Sequence, residues 1–241
     1  LATPQSRGKA LINMLPLEKD ENVSVYLRLP ENEDLWKELD IMFATSHGTV
    51  RRNKLSDFGN IRANGLIAMK LGEGEKLVSV KICRPDEDVL LATKLGKAIR
   101  FPVEDIRVFA GRTSTGVRGI KLAKNDEVIS MSILKHLDVT PEERQAYFKA
   151  ANRNEEDAAP LEDENVANIQ LSAERLKEMK EKEQFLLTVT NKGFGKRTSA
   201  YEYRVSGRGG QGVTNMSLTA KNGGAMVSTF PVTDSHQIML V

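Results

Sequence analysis

Residues Gly207 to Gly212 read Gly-Arg-Gly-Gly-Gln-Gly and carry the spacing G-x-G-x-x-G. In a dinucleotide-binding fold that spacing cradles a pyrophosphate, given a strand before it, a helix after it and an acid about twenty residues on. Asp234 lies 22 residues beyond Gly212, but the intervening Val-Thr-Asn-Met-Ser-Leu-Thr-Ala-Lys-Asn-Gly-Gly is too rich in β-branched residues, Asn and Gly to begin a helix. The nucleotide reading is set aside. His47, His136 and His236 stand far apart and fit no metal spacing. Cys83, the single cysteine, rules out an internal disulfide, has no evident activating histidine and reads as a packing residue in the strand-like Val-Ser-Val-Lys-Ile-Cys. No catalytic residue, metal site or cofactor is expected.

What does recur is basic residues at fixed spacing. Three segments align: Ile-Met-Phe-Ala-Thr from Ile41, Val-Leu-Leu-Ala-Thr from Val89 and Phe-Leu-Leu-Thr-Val from Phe185. Each apolar run leads to a turn glycine (Gly48, Gly96, Gly193) and then, four positions on, to a basic residue (Arg52, Arg100, Arg197). Arg51, Lys97 and Lys196 accompany them, and Arg7, Arg62, Arg112, Arg118 and Arg208 lie in or beside a second recurrent loop. Equivalent positions in a radial array line one edge, so the set predicts a positive stripe suited to a bent phosphate backbone. The scarcity of aromatics, 5% of residues, argues against single-strand stacking platforms and for duplex backbone contacts.

The elements that must carry this stripe are strands. A second unit, Gly-apolar-x-x-apolar-x-Leu, follows each first one, at Gly65, Gly116 and Gly212. Polar turns and alternating strands come next: Val78, Val80 and Ile82, then Ile129, Met131 and Ile133. Ile12 to Leu17 keeps the apolar spacing of a half-copy, with the strand Val23–Leu27 expected after it, and Ile238 to Val241 opens a further copy. The chain therefore reads as a piece of a longer array. The period is 48 residues from Ile41 to Val89 and 96 from Val89 to Phe185. Units of this length predict an all-β, propeller-like array of four-stranded blades, without the signatures of the WD40 or kelch classes.

An insertion over 138–183 interrupts the third copy. Thr140, Pro141 and Glu143 form a capping box that opens a helix, and Ser172 caps a second. Residues 135–184 hold 13 acidic and 8 basic side chains, which leaves a surplus of seven basic residues elsewhere behind a net charge of +2. The charge run reads as a solvated helical hairpin beside the blades; the sharper alternative is an acidic flap that competes with DNA. No apolar run approaches the ~20 residues of a membrane span, and no secretory leader is evident at the start. A cytoplasmic protein is expected.

The motifs Ile-Asn-Met-Leu-Pro-Leu-Glu-Lys-Asp-Glu, Ala-Thr-Ser-His-Gly-Thr-Val-Arg-Arg, Thr-Ser-Thr-Gly-Val-Arg-Gly-Ile-Lys-Leu, Asn-Lys-Gly-Phe-Gly-Lys-Arg-Thr and Gly-Arg-Gly-Gly-Gln-Gly-Val resemble the C-terminal domain of the DNA gyrase A protein. They run across the whole chain apart from the insertion. The resemblance implies a β-pinwheel, here a partial arc of a six-bladed domain, in which strands from one repeat complete the neighbouring blade. It implies that a basic rim wraps duplex DNA for ATP-dependent negative supercoiling, together with the rest of gyrase A and with gyrase B in a heterotetramer. DNA cleavage and the use of ATP and Mg2+ lie elsewhere in that enzyme, a DNA topoisomerase, so this chain has no catalytic centre of its own. The family's box, Q-R-R-G-G-x-G, belongs to the first blade, ahead of Leu1. Residues 206–212 match it at Arg208, Gly209, Gly210 and Gly212, with Ser206 and Gly207 in place of the Gln and first Arg. They read as a blade-to-blade loop. The corresponding C-terminal domain of topoisomerase IV and a protein-binding propeller are the alternatives.

Overall fold

The structure, a computed structural model, describes residues 7–10, 13, 15, 17, 21–61, 65–150 and 171–238. In chain order the strands are β1 (Asp40–Thr45), β2 (Thr49–Lys54), β3 (Leu77–Cys83), β4 (Glu87–Thr93), β5 (Lys97–Pro102) and β6 (Val117–Arg118). They continue with β7 (Val128–Lys135), β8 (Phe185–Thr190), β9 (Gly195–Ser199), β10 (Val213–Thr214) and β11 (Met226–Val232). Helices α1 (Pro141–Ala150) and α2 (Ala173–Lys182) stand between β7 and β8.

Among the described residues three sheets result, ordered β3-β1-β2-β6, β7-β4-β5-β10 and β11-β8-β9. Every pairing between these strands is antiparallel. β6 follows β5 in the chain yet pairs with β2 of the preceding sheet, and β10 follows β9 yet pairs with β5. Each of these blades is thus completed by the next repeat, the exchange that defines a pinwheel. Neighbouring sheets meet along β3, β7 and β11, which puts β6 and β10 on the outer edge.

Glycines make the exchange possible. Gly96 turns the β4–β5 hairpin at φ +91, and its carbonyl accepts the Asn215 N–H at 2.8 Å. Gly48 and Gly119 repeat that bond at 2.8 Å. Gly212, at φ +72, lies so close to β5 that a Cβ would run into the Ala98 carbonyl. Only glycine tolerates both demands.

The core sits between the sheets. Val89 and Leu91 join Met42, Val50, Ile99 and Phe101 on one side of β4, while Leu90 and Ala92 join Leu134, Leu186 and Met226 on the other. A strand buried on both faces reads as a continuous apolar run rather than an alternating one, which is why Val-Leu-Leu-Ala carries no period. Burying each such side chain contributes about 1.5–3 kcal/mol. Cys83 is buried in the first of these clusters, and burial pushes its thiol up to about 12.

Two expectations need correction. The third repeat is shifted by one residue: Val89 pairs with Phe101 and Leu186 with Thr198, so Leu186, not Phe185, is the counterpart of Ile41 and Val89. Phe185 instead occupies the place of Asp40 and Asp88, because it stands eight residues before its turn glycine as they do, whereas Ile41 and Val89 stand seven before theirs. Val23–Leu27 forms no strand. No neighbouring strand pairs with it among the described residues, although Val25, Leu27 and Leu29 pack on the Trp36, Phe43 and Phe58 cluster. Ile12, Met14, Pro16 and residues 239–241 lie outside the described residues.

Both insertion helices form. The Glu143 N–H donates to Thr140 Oγ1 at 3.2 Å and the Thr140 N–H to Glu143 Oε2 at 3.0 Å, the reciprocal capping box. Ser172 Oγ accepts the Arg175 N–H at 3.2 Å. Tyr147, Phe148 and Met179 pack with Leu137 and Tyr201, so the hairpin is docked on the blades. Arg175 locks the helices together by donating to Glu143 at 2.8 Å, Glu178 at 2.6 Å and the Asp138 carbonyl at 2.5 Å. Those bonds raise its pKa further and hold both carboxyls below their usual range. The polar, acidic stretch of the insertion, 152–165, lies outside the described residues. Among the described residues no helix is long and apolar enough to cross a membrane.

Candidate nucleic-acid interface

The recurring arginines divide into two sets. Arg52 donates to Asp40 at 2.7 Å and to the carbonyls of Val103 and Ile106 at 3.3 and 3.2 Å, in the 3-10 turn of the next repeat. Arg100 repeats the arrangement: Asp88 at 2.7 Å, the Ala200 carbonyl at 2.9 Å and the Lys135 carbonyl at 3.0 Å. Their side chains are 7% and 3% exposed. Arg51 is fully buried, donating to Asn53 at 2.9 Å and to the carbonyls of Arg112 and Ser114. Burial without full pairing lowers its pKa. The expectation of Arg51, Arg52 and Arg100 on an outward stripe is therefore corrected. The spacing is fixed because each arginine joins one blade to the next, and a buried guanidinium has no phosphate within reach.

The second oxygen of each buried acid differs between blades. Asp40 Oδ1 receives Lys54 at 2.8 Å, whereas Asp88 Oδ1 receives His136 Nδ1 at 2.8 Å. In the third blade Phe185 replaces the acid, and Arg197, 44% exposed, lies over its ring and pairs with Asp234 at 2.9 Å.

Five of the other predicted cations face outward. Lys97 on β5 is exposed and donates to Thr214 at 3.2 Å, and Lys196 on β9 is exposed and donates to the Asn215 carbonyl at 2.8 Å. Arg7, Arg118 and Arg208 are exposed as well. Arg112 is half-buried, donating to the Asp57 carbonyl at 2.6 Å beside the Phe58 ring. Arg62 lies outside the described residues.

The loops that carry these residues zip together along the outer edge. The Lys70 N–H donates to the Ser114 carbonyl at 3.3 Å, and one repeat on the Lys121 N–H donates to the Gly210 carbonyl at 2.8 Å. Within this belt the Gly209 N–H donates to the Gly119 carbonyl at 2.6 Å. The glycine-rich loop therefore spends that amide on its neighbour, and no helix follows it. Arg118, Lys121, Arg208 and Lys97 are brought side by side, and Lys97, Lys121, Asp126 and Gln211 line a cleft of about 140 Å³. Lys70 and Lys121 were not among the predicted residues. Their signal lay in the second recurrent unit, Gly-Leu-Ile-Ala-Met-Lys-Leu and Gly-Val-Arg-Gly-Ile-Lys-Leu, whose sixth position is lysine in both. Among the described residues no cluster of His, Cys, Asp or Glu could hold a metal ion.

Strand exchange between repeats, with cations on the exchanged edge and its loops, defines the β-pinwheel class of propeller-like domain. The model of the DNA gyrase C-terminal domain, a β-propeller, matches residues 39–84, 87–135 and 184–233, and the chain belongs to that family. Its repeat boundaries reproduce the register in which Asp40, Asp88 and Phe185 correspond. The chain is 50% identical over 255 residues to the DNA gyrase A protein of Granulibacter bethesdensis and 48% identical over 243 residues to that of Rickettsia bellii. Both alignments cover 100% of this chain and 27% of the relative, so the chain spans about a quarter of their length. A solved C-terminal domain of DNA topoisomerase IV shares the fold at TM-score 0.66 and 17% identity, over 95% of this chain and 56% of that one.

Proposed function

We propose that the chain binds duplex DNA along its outer edge and wraps it, as the C-terminal part of a cytoplasmic DNA gyrase A protein. The remainder of gyrase A and gyrase B complete the heterotetramer, supplying cleavage and the ATP and Mg2+ chemistry that drives supercoiling. The observation that carries this reading is the outward cluster of Lys97, Arg118 and Lys121, held beside one another where the loops bond from repeat to repeat. A row of cations on a rigid curved edge favours a bent polyanion, releases its counterions and reads no base sequence. Preference among sequences then follows DNA deformability.

The test is a salt titration of binding to a labelled duplex. Lys97, Arg118 and Lys121 replaced together by Gln should flatten the slope of log affinity against log salt by ~0.9 for each phosphate no longer neutralised, equally for unrelated sequences. An unchanged slope in a folded variant would place the DNA path elsewhere. Salt-insensitive capture of a protein would favour an interaction propeller.

A further inference from the structure

The geometry points to Arg208 as a positioning residue that acts through Arg118, the cation of the preceding repeat, and not as a phosphate contact itself. This rests on the DNA reading above. Arg208 Nε donates to the Asp105 carbonyl at 3.0 Å and Nη1 to the Arg118 carbonyl at 3.1 Å, while its backbone N–H reaches Asp105 Oδ2 at 3.3 Å. One side chain thereby ties the base of a blade to the belt on its rim. The next two residues finish the clamp: the Gly209 N–H holds the Gly119 carbonyl, and the Gly210 carbonyl holds the Lys121 N–H. On its other side Arg118 is fixed by the pairing of β6 with β2, opposite Thr49. Arg118 and Lys121 thus extend from a segment whose backbone is held from both directions.

The corresponding contact occurs one repeat earlier, where Arg112 Nη1 donates to the Asp57 carbonyl at 2.6 Å. Asp57 and Asp105 each stand nine residues after their turn glycine, and Arg112 and Arg208 each stand four before the glycine of the second unit. Contacts between the same two repeat positions, through Nη1 of Arg112 and Nε of Arg208, mark a recurrent joint and not a surface charge that settled on a carbonyl. At Arg208 the demand is for a planar fork that reaches two carbonyls at once. Arginine meets it; lysine, a point charge on a flexible stem, does not.

The experiment compares Arg208→Lys, Arg208→Ala, Arg118→Ala and the Arg118→Ala/Arg208→Ala double variant in the full chain, by salt titration of duplex binding and by amide hydrogen exchange without DNA. Arg118→Ala should flatten the salt slope by ~0.9. Arg208→Lys and Arg208→Ala should flatten it by the same amount, and the double variant should add nothing. Exchange at the Gly209 and Lys121 amides should speed up in both Arg208 variants while thermal melts show the blades folded. If Arg208→Lys binds like the parent, or the double variant flattens the slope by ~1.8, Arg208 is a direct contact and the proposal is overturned. Unchanged exchange at both amides also overturns it. Should the parent itself bind duplex without salt dependence, the DNA reading fails, and the exchange data alone decide the clamp.

Discussion

The Arg197 guanidinium stacks 4.0 Å from the centre of the Phe185 ring, twelve residues earlier in the chain. In the two preceding blades the same twelve-residue interval joins Arg52 to Asp40 and Arg100 to Asp88 in buried ion pairs. One architectural position thus carries two kinds of cation contact, one sealed and one open to solvent.

The contrast predicts unequal costs. Arg100→Ala leaves Asp88 charged and buried without its guanidinium partner, an event that typically costs about 3–5 kcal/mol. Arg197→Ala removes a partly exposed cation–π contact and an exposed ion pair, worth roughly 1 kcal/mol together. Denaturant melts of the two variants measure the difference; equal losses would mean that the Asp88 site contributes no more than the open one.

His136 makes the second blade sensitive to pH. Burial opposes its charge, but the hydrogen bond to Asp88 and the charges of Asp88 and Asp138 outweigh that, so its pKa lies above the ordinary histidine value. A raised folded pKa gives a contribution that is complete below about pH 6.5 and is lost as pH rises through the folded value. His136→Lys installs the cation that Lys54 provides in the first blade, and should keep that contribution to about pH 8.5. Melts of parent and variant between about pH 5.5 and 8.5 check the sign. Parallel curves would show that His136 is not the titrating group.

Gly212→Ala should detach β10 from β5. The backbone there is left-handed, which costs a residue with a Cβ roughly 1–2 kcal/mol before any clash, and the new methyl meets the Ala98 carbonyl. Faster amide exchange at Ala98 and Val213, with a lowered melting temperature, is the expected result. Gly207→Ala, where a Cβ meets nothing within 4 Å, is the control.

Thr140→Ala should remove one half of the capping box and cost about 1 kcal/mol. The loss should appear as increased exchange in the first turn of α1 and leave β1 to β5 protected. Exchange that rises through the blades instead would show that the hairpin supports them.

Much of this was legible in the chain. Turn glycines, the Thr140 box, the buried Cys83 and the repeat of two apolar units all follow from local chemistry that tertiary context does not reverse. The fate of Arg51, Arg52 and Arg100 was hidden because basic residues ordinarily stay in water, and spacing alone does not separate a solvated stripe from a buried joint. Asp-x11-Arg, present at Asp40 and Asp88, was the available signal. The shift at Phe185 is hidden in the sequence because an apolar residue at a strand start looks like part of the apolar run. Val23–Leu27 has strand-like residues, but a strand needs a neighbour, and pairing is not a local property.

The short turn Ala200–Glu202 serves two masters. Its Ala200 carbonyl is the far anchor of Arg100, while its Tyr201 lies under the helical hairpin, edge-on to Tyr147 and bonded through its hydroxyl to the Met179 carbonyl at 2.8 Å. The hairpin is therefore a lever arm with its fulcrum on a blade joint. A force that lifts α1 and α2 is delivered through one peptide unit to the Arg100–Asp88 pair, and strain between the second and third blades travels the same route outward.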